Sequence, residues 1–122
     1  MQLVALQINA QADRLQYRAQ IATLLQRLPV ERPCLVLLPE NFACMGAPQD
    51  YQQLAEPLGS GRVQRQLSEW AKEFGIWLVA GSLPALLPQQ NRVHTTSLVF
   101  HPQGELGGFY HKLHLFDVDV AD

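Results

Sequence analysis

Three short apolar runs, Leu3-Val4-Ala5-Leu6-Gln7-Ile8, Cys34-Leu35-Val36-Leu37-Leu38 and Ile76-Trp77-Leu78-Val79-Ala80, constrain the fold of this chain more than any other feature. Each has the length of a strand, and the second and third are apolar on both parities, which is the pattern of a strand covered on both faces. Between the first two, Leu15, Ala19, Ala22, Leu25 and Leu28 recur at three- and four-residue steps, so residues 13–28 are expected to form a surface helix with one apolar stripe. Pro29 and Pro33 then break the chain. A second helix is expected over 60–74, with Ser60 as its cap, Val63, Leu67, Trp70, Ala71 and Phe74 on its apolar face, and Gly75 in the left-handed position after its end. Residues 41–59 carry Gly46, Pro48 and Pro57 without a clean period and read as mostly loop.

The third apolar run is expected to stop at Gly81-Ser82. Residues 95–101 and 105–110 flank Pro102-Gln103-Gly104, a turn suited to a hairpin. The order β-α-β-loop-α-β-β-β is that of an α/β layer with parallel neighbours, made mixed by the late hairpin. Strands ending near Gln7, Leu38 and Ala80 should lie side by side, with both helices packed together on one face. With 122 residues and 48% hydrophobic content, one domain or a piece of one is expected.

Nine Lys+Arg against eleven Asp+Glu are spread along the chain, and nothing in this balance asks for nucleic acid or an anionic membrane. The apolar runs fall far below the roughly 18 residues of a membrane span. The N-terminus has no basic region or cleavage pattern of a signal, so a cytoplasmic location is expected. Cys34 and Cys44 are too few for a disulfide framework and lack zinc-type spacing, and are read as thiols.

Glu40 follows the second strand in Leu37-Leu38-Pro39-Glu40-Asn41-Phe42, and ligands of α/β sheets gather beyond the carboxyl ends of strands. A carboxylate partly desolvated there would have its pKa raised toward that of a useful general base; a capping or loop carboxylate is the alternative. Lys112, in Tyr110-His111-Lys112-Leu113-His114-Leu115-Phe116-Asp117, could stabilise a developing oxyanion, or be an exposed lysine at a strand end. His111 and His114 with Asp117 and Asp119 invite a metal reading, but no second cluster supplies complementary ligands, and no metal is expected. Gly107-Gly108 lies inside a strand-like segment and opens no helix, so it is no phosphate loop. Trp70 and Trp77 are expected to pack in the core or an interface.

At Leu38-Pro39-Glu40-Asn41-Phe42 and at Tyr110 to Asp117, the chain resembles the nitrilase superfamily of carbon–nitrogen hydrolases. The segments stand in the family's order: an opening strand ending near Gln7, the Pro-Glu motif, a strand ending in Gly81-Ser82-Leu83-Pro84, the Pro102-Gln103-Gly104-Glu105 turn and the Lys-x-His-Leu-Phe-Asp motif. The branch containing ω-amidase and deaminated-glutathione amidase is most similar, mainly through Lys112 to Val120. Thr95 departs from the pattern, standing where related sequences commonly have asparagine.

The resemblance implies the N-terminal part of a four-layer αββα sandwich over residues 1–122, usually dimeric or larger, and a Glu-Lys-Cys triad acting on a small amide without metal or organic cofactor. Glu40 would be the general base and Lys112 the oxyanion stabiliser. The nucleophilic cysteine comes a few tens of residues after the lysine in the family, beyond Asp122. Cys34 lies six residues before Glu40 in an extended run, about 20 Å away at roughly 3.3 Å per residue. Cys44 is nearer, but nothing in the motif order places it at a substrate. Two consequences are expected. Glu40 and Lys112 should converge on one pocket, and a half-sandwich should leave one strongly apolar sheet face bare, whereas an independent binding domain would cover both.

Overall fold

The computed structural model describes residues 1–10, 16–87 and 90–113. In chain order the elements are β1 (Gln2–Ala5), α1 (Gln16–Leu25), β2 (Cys34–Leu37), α2 (Pro48–Leu54), β3 (Glu56–Pro57), α3 (Arg62–Phe74), β4 (Trp77–Leu87), β5 (Gln90–Phe100) and β6 (Leu106–His111). The sheet runs β1-β2-β4-β5-β6, with β3 pairing the far half of β4. β1, β2 and β4 are mutually parallel, while β5 and β6 return antiparallel, so the sheet is mixed as expected. The expected hairpin is present, turning through Gly104 at φ 93°, a left-handed conformation that glycine adopts without strain.

Alternation along the strands decides what holds the sheet. Cys34 and Val36 of β2, Leu38 just past its end, and Leu78 and Ala80 of β4 point to one side and are fully buried. There they meet Ile21 and Leu25 of α1 and Leu67, Trp70 and Ala71 of α3 in one continuous core. The two helices also touch directly, Arg18 Nη2 donating to Gln66 Oε1 at 2.8 Å. Both thus pack on the same face, as expected.

The opposite face is not covered by the described residues. Leu3, Leu35 and Trp77 align across β1, β2 and β4, and Ala5, Leu37, Val79 and Val99 form the next row. Leu3 is 73% and Leu37 44% exposed, and Leu35, Trp77, Val79 and Val99 are half-buried. The expectation that the apolar runs are covered on both faces is not met among the described residues: α1 and α3 shield one parity, and on the other the described residues lay no helix, His101 alone stacking edge-on against Trp77 at 4.6 Å. This is the bare face expected of a half-sandwich.

Four local readings also change. α1 buries Tyr17, Ile21 and Leu25, and Ala19 faces solvent, so the stripe lies to one side of the one read from the sequence; Asp13 and Leu15 lie outside the described residues. The loop assigned to 41–59 contains α2, which starts at Pro48, where a missing N–H costs nothing, and the short strand β3. β4 does not stop at Gly81-Ser82 but continues to Leu87 through a bulge. Ser60 does not cap α3: the N-cap is Gly61, and the helix start is held by Glu56.

That Glu56 carboxylate is nearly buried, and accepts the backbone N–H of Val63 at 2.7 Å and of Gln64 at 3.2 Å. Gly75 closes the other end in the left-handed conformation, as expected. Replacing Glu56 by alanine leaves two helix N–H groups without their acceptor, and is expected to destabilise the fold by about 2 kcal/mol. A urea-unfolding midpoint unchanged by Glu56→Ala would contradict this account of how α3 is anchored.

Candidate active site

Glu40 is placed by what is buried around it. Leu38 donates its N–H to the Val79 carbonyl at 2.9 Å, fixing the residue just past the end of β2, and the chain then turns through Pro39, Glu40 and Asn41. Asn41 takes φ 54°, a left-handed conformation that asparagine tolerates better than most side chains. Its N–H donates to Ser82 Oγ at 3.1 Å, and its carbonyl accepts the Cys44 N–H at 3.2 Å. Phe42, Ala43 and Cys44 are buried, Phe42 meeting Tyr17 edge-on with ring centroids 5.7 Å apart. Burial in this core holds the Tyr17 phenol above its usual ionisation range. The turn is therefore pinned on both sides, and the Glu40 side chain is left outside the core.

Lys112 reaches the same place from the other end of the sheet. Its N–H donates to the Thr95 carbonyl at 2.8 Å, extending the β5–β6 ladder one residue past His111. Alternation from Tyr110, paired with Ser97, puts Lys112 on the open face. Lys112 Nζ lies 3.2 Å from Glu40 Oε1, joining residues 72 positions apart in sequence. The expected convergence of these two side chains is observed.

Two hollows meet at this pair. One, of about 200 Å³, is walled by Gly81, Ser82, Ser97 and Tyr110; the other, of about 610 Å³, by Asn41, Tyr51, Pro84 and Val93. Glu40, Thr95 and Lys112 line both. Thr95, noted only as a departure from the family pattern, thus stands at the centre of the site. Ser82, Ser97, Tyr110 and Tyr51 were not singled out from the sequence. Ser97, Tyr110 and Lys112 share one parity on paired strands, a signal readable once the hairpin register is known.

Among the described residues, the desolvation expected of Glu40 is slight. The Lys112 and Glu40 side chains are 40% and 60% exposed, opening onto the sheet face that no described helix covers. An ion pair this open contributes at most about 1 kcal/mol to stability. Charge stabilisation of a reacting group becomes strong only where water is excluded.

The two thiols lie elsewhere. Cys34 points into the helix-covered core, Cys44 is buried in the loop after Phe42, and neither lines either hollow. His111 Nδ1 lies 2.8 Å from Thr96 Oγ1 on the helix-side parity, facing away from Lys112. His114, Asp117 and Asp119, the other members of the metal reading, lie outside the described residues. Among the described residues no three His, Cys, Asp or Glu side chains gather in a metal-binding group, and no helix is long and apolar enough to cross a membrane.

Comparison with known proteins agrees with this architecture. The sequence is 37% identical over 89 residues to deaminated glutathione amidase of Yersinia enterocolitica, covering 72% of this chain and 31% of that protein. It is 33% identical over 118 residues to the omega-amidase NIT3 of Saccharomyces cerevisiae, covering 90% of this chain and 40% of that protein. The crystal structure of Saccharomyces cerevisiae Nit3, a member of branch 10 of the nitrilase superfamily, superposes with a TM-score of 0.74 at 28% identity, over 87% of this chain and 41% of that one. The chain thus spans well under half the length of these relatives, and corresponds to the N-terminal part of their fold. The carbon-nitrogen hydrolase pattern itself matches residues 3–122, and the chain belongs to the carbon-nitrogen hydrolase family.

Proposed function

We propose that this chain carries the base and the oxyanion donor of an amidase that hydrolyses small ω-amides with release of ammonia, Glu40 serving as general base and Lys112 as oxyanion stabiliser. The observation that carries the reading is the 3.2 Å approach of Lys112 Nζ to Glu40 Oε1 at the mouth of two hollows. The nucleophile is a cysteine supplied by sequence beyond residue 122, since Cys34 and Cys44 are both buried away from the pair.

In the complete protein Glu40 takes the thiol proton as sulfur attacks the amide carbon, and the Lys112 ammonium faces the oxygen as it becomes negative. Collapse of the tetrahedral species passes the proton from Glu40 to the leaving nitrogen, releasing ammonia and leaving a thioester. Water, deprotonated by Glu40, attacks the thioester and frees the acid and the thiol. No metal or organic cofactor enters these steps. The rest of the proposal is a single domain over 1–122 completed by further sequence, a cytoplasmic homo-oligomer, and no nucleic-acid or membrane partner.

The test is to trap the intermediate. A protein in which this chain continues to the length of its relatives, quenched in acid during turnover of a short-chain monoamide, should gain one acyl mass on a cysteine other than Cys34 and Cys44. Acylation of either of those two would overturn the assignment. A second reading is favoured by the bare face around Leu3 and Leu37: a non-catalytic product of the same fold that survives by pairing with another chain. A lengthened form that binds thiol reagents yet hydrolyses no amide would select it.

A further inference from the structure

We propose that Gly81 and Ser82, at the bulge in β4, are positioning residues that set where the Glu40 carboxylate stands relative to Lys112. Naming Glu40 the base rests on the proposed function; the clamp itself does not.

Ala80 pairs with Leu98 and Leu83 with Thr96, so β4 spends one more residue than β5 across this interval. Such an extra residue kinks a strand and redirects its side chains. The kink falls where β2 runs out, just past the hydrogen bond from Leu38 N–H to the Val79 carbonyl at 2.9 Å. There the β4 backbone presses on the peptides leading to Glu40. A Cβ added at Gly81 would stand 2.2 Å from the Leu38 carbonyl oxygen and 2.4 Å from that of Pro39, far inside any real contact. Only glycine allows this approach.

Ser82, 6% exposed, holds the other side of the turn by accepting the Asn41 N–H on its hydroxyl at 3.1 Å. The residues immediately before and after Glu40 are thus both fixed by the same two positions of β4. Lys112 is referred to the same stretch: its N–H bonds to the Thr95 carbonyl, and Thr95 pairs with Pro84 just past the bulge. The bulge is therefore the common ruler for both charged groups.

The test uses the 122-residue chain and side-chain carboxyl carbon NMR. Lys112→Met should shift the Glu40 carboxyl signal in the unmodified background. In a Ser82→Ala background that shift should fall to less than about a third, and Ser82→Thr, which keeps the hydroxyl, should restore it, as expected for misplacement by an ångström or so. An undiminished shift in folded Ser82→Ala would overturn the proposal. Should Ser82→Ala not fold, hydrogen exchange of the unmodified chain decides: an Asn41 amide protected like the β2 amides supports the clamp, and one exchanging like an open loop refutes it. In a lengthened, active form, Ser82→Ala should lower kcat about tenfold with KM little changed. Unaltered kcat there would remove the positioning role. A lengthened form with no amidase activity whose Glu40–Lys112 coupling still depends on Ser82 would remove the proposed function and leave the clamp standing.

Discussion

Glu40→Gln, in a protein where this chain continues to the length of its relatives, is expected to lower ammonia release from a short-chain monoamide by roughly 10³-fold, the range typical of losing a general base. Glutamine keeps the shape of the side chain and can still accept a hydrogen bond from Lys112 Nζ, so the geometry of the 3.2 Å contact is largely retained. What it cannot do is take a proton from a thiol or a water. Because the side chain is 60% exposed, the same change should alter unfolding by no more than about 1 kcal/mol, which separates loss of chemistry from loss of fold. The pair of measurements is steady-state ammonia release and urea unfolding on the same preparation. Activity within tenfold of the unmodified protein would mean that another group is the base.

Phe42→Ala should be the most damaging single substitution near the site. The ring is fully buried, meets Tyr17 edge-on at 5.7 Å, and anchors the chain two residues beyond Glu40. Truncation removes its contacts and leaves a cavity that the surrounding core fills only in part, at a cost of about 3–5 kcal/mol. A cost of this size is a large share of the stability of a domain this small. Activity in the lengthened protein should fall with stability, because the turn that presents the carboxylate loses its anchor on one side. Equilibrium unfolding of the 122-residue chain checks the first part. A loss under 1 kcal/mol would show that the loop is not held by this ring.

Much of the fold was legible because its signals are local. The continuous apolar runs marked the parallel strands, Gly75 marked the end of α3, and Pro102-Gln103-Gly104 marked the hairpin. What escaped depends on contacts between distant residues. Glu56 reads as one more loop carboxylate until β3 sets it beneath the start of α3, where it replaces the expected Ser60 cap. Gly81-Ser82 reads as a strand end, since a bulge is visible only against the partner strand. The seven residues of α2 are too few to show a period, and Pro48, which reads as part of a loop, sits at a helix start.

Within the site, the residue types of Glu40 and Lys112 and their positions at strand ends were legible, and their meeting follows from the order of the sheet. The environment of Glu40 was not. Its expected desolvation depends on a layer over the open face, and the described residues provide none. Leu3 and Leu37 lie exposed on that same face, so among the described residues the exposed charges and the exposed apolar rows share one surface.

The central claim is that this chain holds two parts of a three-part mechanism, and one assay bears on it most directly. Purified 122-residue protein and a form lengthened to the size of its relatives are compared for ammonia release from a panel of short-chain monoamides. Loss of the covalent step costs several orders of magnitude in comparable triads, so the lengthened form should turn over and the 122-residue chain should not. Turnover by the 122-residue chain that persists with Cys34 and Cys44 both changed to serine, but disappears in Glu40→Gln, would contradict the account.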